Sequence, residues 1–306
     1  MIGSFHIFNK NSSAIIFLSK IFLYINVDDK IPTYGEFAIM ADVARGTIQN
    51  SMKVLIAEKA IELNARGHLG TFLVSKDISK LIMLADIRHI RGAMTLPYSK
   101  ISEGLATGLV SVYNNKYKLP ISMSYTSSFS VRLKQLFEGY LDFTILSKSS
   151  AKNPVNYLYE YEIVIDFGPN TYTSSDVLVF SDPKKTEIED GMRVGCIKGH
   201  VEQNNMLAKL CKNVNVDIIE MAYHQAKYAF NNKEIDVVLW NNNELYDAQL
   251  KSKAVNLDIS EDDTTAVLVV NKNKPEINIL LKQIIDVEKV KQIQRKVQSY
   301  EIDPRY

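Results

Sequence analysis

Catalytic signatures are missing from this sequence. It has no GxSxG turn for a nucleophilic serine, no HExxH zinc pair, no phosphate loop ending in lysine and no GxGxxG dinucleotide fingerprint. Cysteine is scarce: Cys196 and Cys211 are too few for a disulfide framework, which fits a reducing cytoplasm. Neither has a histidine or second cysteine at ligand spacing, and His6, His68, His89, His200 and His224 have no metal spacing among themselves, so neither metal nor cofactor is expected. An excess of one charge is also lacking. Thirty-six Lys and Arg face 35 Asp and Glu, a net charge of +1, which excludes a chain coated throughout for nucleic acid or anionic lipid. No long apolar run occurs either. The best, "AIIFLSKIFLYINV" from Ala14 to Val27, is short for a membrane span, is interrupted by Ser19 and Lys20, and leads into "NVDDKIP" with no small-residue cleavage site. It predicts a packed first helix and no membrane segment.

The chain does have enough length and apolar content for two or three domains: 306 residues, 46% apolar and 23% charged. Any nucleic-acid surface must be a local patch, and one is present between Val43 and Lys76, where Arg45, Lys53, Lys59, Arg66 and Lys76 face only Glu58 and Glu62. The same zone has a regular build. A helix over Asn11–Ile25 precedes the "NVDDKIP" turn, a short helix over Thr33–Ala41 and a longer one over Ala44–Ala60. Two short strands follow, "IELN" and "GTFLV", joined by "ARGHL". Thr33 and Glu36 have capping-box spacing, and Gly70 opens the return strand. Helix, helix and hairpin in this order make a winged helix-turn-helix.

Within "ARGTIQNSMKVL", Ile48, Met52 and Leu55 form a core stripe at i, i+4 and i+7, while Gln49, Asn50 and Lys53 gather on another arc. Arg45 and Thr47 stand at the helix N-terminus, from which side chains of a recognition helix reach base edges and backbone N–H groups meet phosphate. Arginine can pair with guanine in a bidentate way, and Gln or Asn with adenine. Any solvated helix also shows such residues. The flanks are more specific: over the 44 residues Ile31–Val74, the chain resembles the DNA-binding domain of GntR-type bacterial repressors. Pro32, Glu36, Ala38, Val43, Arg45, Thr47, Leu55, Glu58, Ile61, Glu62, Gly67, Gly70, Thr71 and Phe72 match in register. The resemblance implies DNA contacts at Arg45, Thr47, Arg66, Gly67 and His68. The helical arc adds Gln49, Asn50 and Lys53, and the start of the preceding helix adds Thr33. Gly35, Ala44 and Gln49 stand where the pattern has Arg, Ser and Arg, which lowers the expected phosphate affinity and its salt dependence.

The remainder alternates strands and helices. One set runs "GAMTLP", "YSKISEGLATGLVSVYNNK", "PISMSYTS", "FSVRLKQLFEGY", "LDFTILS". A second runs "MRVGCIK", "VEQNNMLAKLC", "VDIIEMAY", "QAKYAFNNK", "IDVVLWN". In each set a helix ends just before an acidic residue, Asp142 or Asp236, that opens an apolar strand. Two βαβ sets of like design predict two lobes, with "YEIVIDFGPNTYTSSDVLVF" crossing between them and one helix over Glu276–Ser299 returning to the first. The expected fold is α/β: a winged helix-turn-helix over 1–78, then over 79–306 a two-lobed, type II periplasmic-binding-protein-like domain with mainly parallel sheets. Lobe 1 takes about 85–165 and 264–306, and lobe 2 about 166–263.

Ligands of such folds lie beyond the carboxyl ends of the strands. That rule names Thr95, Tyr98, Tyr125, Ser127 and Ser147 in lobe 1, and Gly168 and Tyr172 on the crossover. In lobe 2 it names Lys198, Gly199, His200, Gln203, Tyr223, Trp240 and Asn241. "CIKGHVEQ" pairs a helix start with Lys198 and His200, which suits a carboxylate or phosphate, although strand–helix turns need small and polar residues anyway. Trp240, the only tryptophan, either walls a pocket or fills the core. Gly104 and Gly108 permit close helix packing. The module order, with "YLDFTILSKSSAKN", "GMRVGCIKGH", "EIDVVLWN" and "VKQIQRKVQSYEIDPRY", resembles the YhfZ family, a GntR-like helix-turn-helix followed by a solute-binding-like domain. The expectation is a cytoplasmic, homodimeric transcriptional regulator, not an enzyme, with double-stranded operator DNA and a small polar or anionic effector as partners. The alternatives are a cytoplasmic solute-binding protein whose winged helix serves dimerisation, and an enzyme on the same fold.

Overall fold

The computed structural model describes residues 10–111, 117–126, 129–153, 160–173, 176–198, 201–241, 254–256 and 260–306. They form two units, one built on 1–90 with 115–120 and 274–284, the other on 91–114, 121–273 and 285–306.

The first unit starts with α1 (Lys10–Tyr24), the apolar run of the sequence. Its Ala14, Leu18, Ile21, Phe22 and Leu23 are buried, and among the described residues no helix is long and apolar enough to cross a membrane. In α2 (Tyr34–Met40), Thr33 and Glu36 form the expected capping box. In α3 (Arg45–Ala57), Ile48, Met52 and Leu55 are all fully buried, as the stripe predicts. Strands β1 (Ile61–Ala65) and β2 (Thr71–Lys76) pair antiparallel as the wing, then α4 (Ile78–Leu84) follows. At the wing tip Gly67 and Gly70 have φ of 57° and 102°, values that side chains rarely adopt. Lys76 is no part of a DNA-facing patch, contrary to expectation. Its Nζ donates to the carbonyls of Phe22, Leu23 and Ile25 at 3.2, 2.8 and 2.6 Å, and so closes the C-terminus of α1, where unpaired carbonyls attract a cation.

The second unit holds two five-stranded sheets of one design. The first contains β3 (Ile90–Met94), β4 (Ile121–Tyr125), β5 (Phe143–Ser147), β6 (Tyr161–Asp166) and β12 (Ala266–Asn271), in the order β4-β3-β5-β12-β6. The second contains β7 (Asp176–Phe180), β8 (Arg193–Ile197), β9 (Asp217–Met221), β10 (Val237–Asn241) and β11 (Ala254–Asn256), in the order β11-β7-β10-β8-β9. β3 runs parallel to β5, and β8 runs parallel to β9 and β10. The bonds from Ser124 to Gly92 and from Thr126 to Met94 advance together, which makes β4 parallel to β3. Only β12 opposes its neighbours in the first sheet, and only β7 in the second, so the sheets are mainly parallel. The chain changes sheet twice, between β6 and β7 and between β11 and β12.

The crossover helices are α5 (Lys100–Ser111), α6 (Phe129–Phe137), α8 (Val201–Leu210) and α9 (Tyr223–Asn231). Short helices α7 (Lys148–Lys152) and α10 (Glu261–Thr264) follow β5 and precede β12. The acidic residues that open β5 and β10 have matching work. Asp142 accepts from Arg91 N, Nε and Nη2 at 2.9, 3.1 and 3.0 Å. Asp236 accepts from Arg193 N, Nε and Nη2 at 2.8, 3.0 and 2.7 Å. Each fork ties the start of one parallel strand to the start of its neighbour.

The single helix expected over Glu276–Ser299 is two. α11 (Pro275–Ile284) belongs to the first unit and α12 (Val287–Gln298) to the second, with Asp286 accepting from Lys289 N at 3.1 Å to start a new helix. α12 packs on α5 at the two glycines. A Cβ on Gly104 would lie 2.7 Å from the Gln294 carbonyl oxygen, and one on Gly108 would lie 2.8 Å from that of Val290. Gly108→Val should therefore lower unfolding free energy by about 1–3 kcal/mol through overpacking. Gly46→Ala, where a Cβ meets nothing within 4 Å, should raise it by up to about 1 kcal/mol; urea denaturation checks both.

The hydrogen bond from Arg193 holds the Asp236 carboxyl below the usual carboxylate range. Its contribution is then present above about pH 4 and is lost as pH falls through the depressed folded value. Arg193→Met should be less stable than the parent at pH 6, with the gap narrowing as urea midpoints are followed from pH 5 to pH 3.

Candidate functional site

The exposed arc of α3 carries the predicted reading residues. Arg45, Gln49, Asn50 and Lys53 are exposed and Thr47 is half-buried, opposite the apolar stripe. Ala44 caps the helix without a side-chain bond, so the first N–H groups have no hydroxyl or carboxylate from that residue. Thr33 is exposed, but its Oγ1 accepts from Glu36 N at 3.2 Å and its N–H donates to the Glu36 carboxylate at 2.6 Å. That backbone bond holds the Glu36 carboxyl below its ordinary value. On the wing, Gly67 and His68 are exposed, and Arg66 lies over the Phe72 ring at 4.4 Å, a cation–π contact that orients its guanidinium.

In the second unit, the C-terminal strand ends bring three predicted residues together. Tyr98, after β3, stacks on Tyr223, the first residue of α9, with ring centroids 4.1 Å apart and planes at 14°. Tyr223 in turn stacks on Trp240 of β10 at 5.0 Å and 25°. The row of rings runs from a lobe-1 loop into the lobe-2 core, where Trp240 clusters with Ile197, Met221 and Phe230. Trp240 thus fills the core, behind the ring that meets the other lobe. Its indole N–H is buried with no partner among the described residues.

Other predicted residues are spread around this stack. Thr95 is half-buried beside Tyr98. Tyr125 ends β4, its hydroxyl is buried without a partner among the described residues, and burial pushes its ionisation up to about 12. Its ring meets the edge of Tyr306 at 5.4 Å. Ser147 is fully buried, and its Oγ accepts from Ser150 N at 3.2 Å to start α7. Lys198 is 65% exposed and 3.9 Å from Glu220, an equally exposed partner. Gln203 is half-buried on α8. Asn241 pairs with Asp176 at the end of β10, and its side chain, like all of Ser127, Gly199 and His200, lies outside the described residues.

The crossover residues Gly168 to Tyr172 are held by backbone hydrogen bonds. Gly168 has φ of 84°, and its N–H donates to the Asp166 carboxylate at 2.9 Å. Thr171 and Tyr172 both donate from the backbone to the Thr264 carbonyl, at 3.0 and 2.8 Å, which ties one crossover to the other. Sequence reading missed the side chain that anchors this pair. Gln294, buried on α12, donates from Nε2 to the carbonyls of Thr171 at 2.8 Å and Ile101 at 2.9 Å. A polar residue in line with buried Val290 and Val297 was a readable signal. Arg132 was also missed: it is buried on α6, and its guanidinium donates to the Thr126 carbonyl at the end of β4. Lys148 is held by Asp166 at 2.8 Å and Asp262 at 3.8 Å, so its charge is answered within the protein. Among the described residues, no group of three or more His, Cys, Asp and Glu could hold a metal ion.

Comparison with known proteins matches both parts. A helix-turn-helix domain model matches residues 26–73, and the model described as the YhfZ C-terminal domain matches residues 77–306. The YhfZ protein of Escherichia coli (strain K12) is 26% identical over 303 residues, covering 97% of this chain and 98% of that one. The crystal structure of YhfZ from Shigella flexneri aligns with a TM-score of 0.59 and 24% identity, over 74% of this chain and 97% of that one. The periplasmic aliphatic sulphonate binding protein SsuA from Escherichia coli aligns with a TM-score of 0.52 and 14% identity, over 70% of this chain and 75% of that one. Such a likeness shows the fold alone. A helix-turn-helix is followed by an α/β domain with the periplasmic-binding fold, and with the match over 77–306 the chain belongs to the YhfZ family.

Proposed function

We propose that this protein is a cytoplasmic transcriptional regulator that binds operator DNA through a GntR-like winged helix and senses a small polar or anionic metabolite in the crevice of its two-lobed domain. The observation that carries the DNA half is the division of α3: a fully buried apolar stripe on one side, and Arg45, Gln49, Asn50 and Lys53 exposed together on another. Recognition helices use that exposed arc and the N-terminal turn to reach the major groove. A homodimer on a two-fold symmetric operator matches the usual logic of such modules. Ligand changes DNA affinity to the extent that it binds the DNA-competent state differently from the other.

Fluorescence anisotropy with duplex DNA from upstream of the protein's own gene tests the reading. Binding should weaken as salt rises, since each phosphate contact releases counterions, with a slope moderated by the missing arginines at Gly35 and Gln49. Arg45→Ala should cost about 1–3 kcal/mol, the size of a lost bidentate base contact. Lys76→Met should act on stability instead, because its ammonium serves α1. Absence of salt-sensitive binding would sink the regulator reading. For the crevice, a thermal-shift screen of small carboxylates, sulfonates and phosphates should give at least one hit, worth about 2.7 kcal/mol at a hundredfold excess over its dissociation constant.

A second reading, a solute-binding protein whose winged helix serves dimerisation, has its own support. A groove of about 530 Å³ is lined by Lys30, Ile31, Pro32, Glu36, Ile39 and Met40, and Ile39 is 83% exposed. If Ile39→Asp turns a dimer into monomers in sedimentation while the parent binds no DNA, this second reading holds.

A further inference from the structure

The wing carries a lysine whose position is built by the fold. Residues 28–31 run along the edge of β2 that β1 leaves open. Asp28 N donates to the Leu73 carbonyl at 2.8 Å, Leu73 N to that of Asp29 at 3.0 Å, and Ile31 N to that of Thr71 at 2.9 Å. In this pairing Lys30 stands opposite Phe72, which pairs on its other side with Asn64 of β1. Residues paired directly across strands share a face of the sheet, so Lys30 and Phe72 point the same way. Ile31 and Leu73 point the other way and are buried, whereas Lys30 is exposed. Arg66 stands on the Lys30 face too, its guanidinium 4.4 Å from the centre of the Phe72 ring.

Gly70 makes room for this lysine. A Cβ there would lie 2.5 Å from Lys30 Cε and 3.2 Å from its Nζ, so the lysine stem crosses bare backbone at the base of the wing turn. Lys30 also lines one groove with Glu36, which places it between the wing and the first turn of α2, a helix with no lysine or arginine. Asp29 and Glu36 are engaged locally. Asp29 accepts from Asn26 N and Nδ2 at 3.1 and 3.0 Å, and Glu36 accepts from Thr33 N at 2.6 Å. Lys76 and Lys80 donate to carbonyls, whereas Lys30 forms no ion pair or side-chain hydrogen bond among the described residues.

Resting on the DNA reading above, we propose that Lys30 and Arg66 form a phosphate clip: both grip the sugar–phosphate backbone of the duplex that α3 reads, and neither reads a base. A lysine ammonium is a point charge that suits a phosphate oxygen, and an arginine fork suits two. Each stem has a fixed course, Lys30 across Gly70 and Arg66 over Phe72, so little side-chain freedom is left to lose on binding. The turn beside them is closed as well, by Leu69 N to the Arg66 carbonyl and Gly70 N to that of Gly67, both at 3.1 Å. The clip thus supplies, from the wing, the backbone charge that α2 lacks.

The test follows the full chain by anisotropy on the upstream duplex and on a scrambled duplex of equal length, across a series of salt concentrations. Lys30→Met and Arg66→Met should each weaken binding about fivefold to tenfold at 0.1 M salt. Each should also lower the slope of log affinity against log salt by about one, the signature of one lost phosphate contact. The loss should be alike on both duplexes, because a phosphate carries no sequence, whereas Arg45→Ala should cost more on the upstream one. Lys30→Arg should keep affinity and slope, and Lys212→Met, an exposed lysine of lobe 2, should change neither. Lys30 is exposed, so urea midpoints should match the parent in Lys30→Met; the test stands even where Gly70→Ala, strained at its positive φ, fails to fold. An unchanged slope in Lys30→Met, or a loss confined to the upstream duplex, overturns the clip and leaves the DNA reading standing. A parent with no salt-sensitive binding overturns both.

Discussion

The close approach of α12 to α5 is the contact on which the C-terminal domain depends. It is possible because Gly104 and Gly108 present bare backbone to Gln294 and Val290, where any Cβ would press on backbone atoms. Close packing does more here than bury apolar surface. It brings the Gln294 amide within 3 Å of two carbonyls, one on α5 and one on the crossover between the sheets. The C-terminal helix therefore ties two elements at once: the helix that follows the Tyr98 loop, and the crossover between the sheets. Arg305 extends the same tie, its backbone N–H donating to Thr107 Oγ1 at 3.0 Å, and Tyr306 ends against Tyr125.

Around that contact the two lobes repeat one plan. In each, a parallel βαβ core is held at its base by an Arg–Asp fork and completed by one opposed strand. The forks stand at strand beginnings, away from the ends that carry Tyr98, Tyr223 and Trp240. This division of labour is physical: a carboxylate with several charge-assisted bonds resists change, whereas stacked rings held by dispersion can slide or part. Structural charge lies at the base of each lobe, and the adaptable aromatic contacts lie at its mouth.

The winged helix shows how a small basic patch is shared among tasks. Lys76 is spent on α1, and Lys80 caps the α3 C-terminus by donating to the Glu58 carbonyl at 2.9 Å. Arg66 is oriented by Phe72. Apart from Lys30 beside the wing, what remains for a partner is concentrated on α3 itself, a compact surface consistent with the near-neutral charge of the whole chain.

Much of this was legible in the residues. The 3.6-residue spacing of Ile48, Met52 and Leu55 determined the buried face of α3, because an amphipathic helix has one way to hide such a stripe. Thr33 and Glu36 determined the capping box locally, and alternating βαβ patterns determined two mainly parallel sheets. Aromatic residues at strand ends, Tyr98, Tyr223 and Trp240, could be named one by one. Their assembly into a single stack, the donation of Lys76 to α1, the break at Asp286 and the reach of Gln294 were decided only by tertiary structure. Each of these joins residues tens to more than a hundred positions apart, or turns on which unit a segment packs against. Local sequence sets helical period and turn chemistry through neighbours three or four residues away; it has no information on which distant carbonyl or ring will stand opposite, because that is set by how elements far apart in the chain pack.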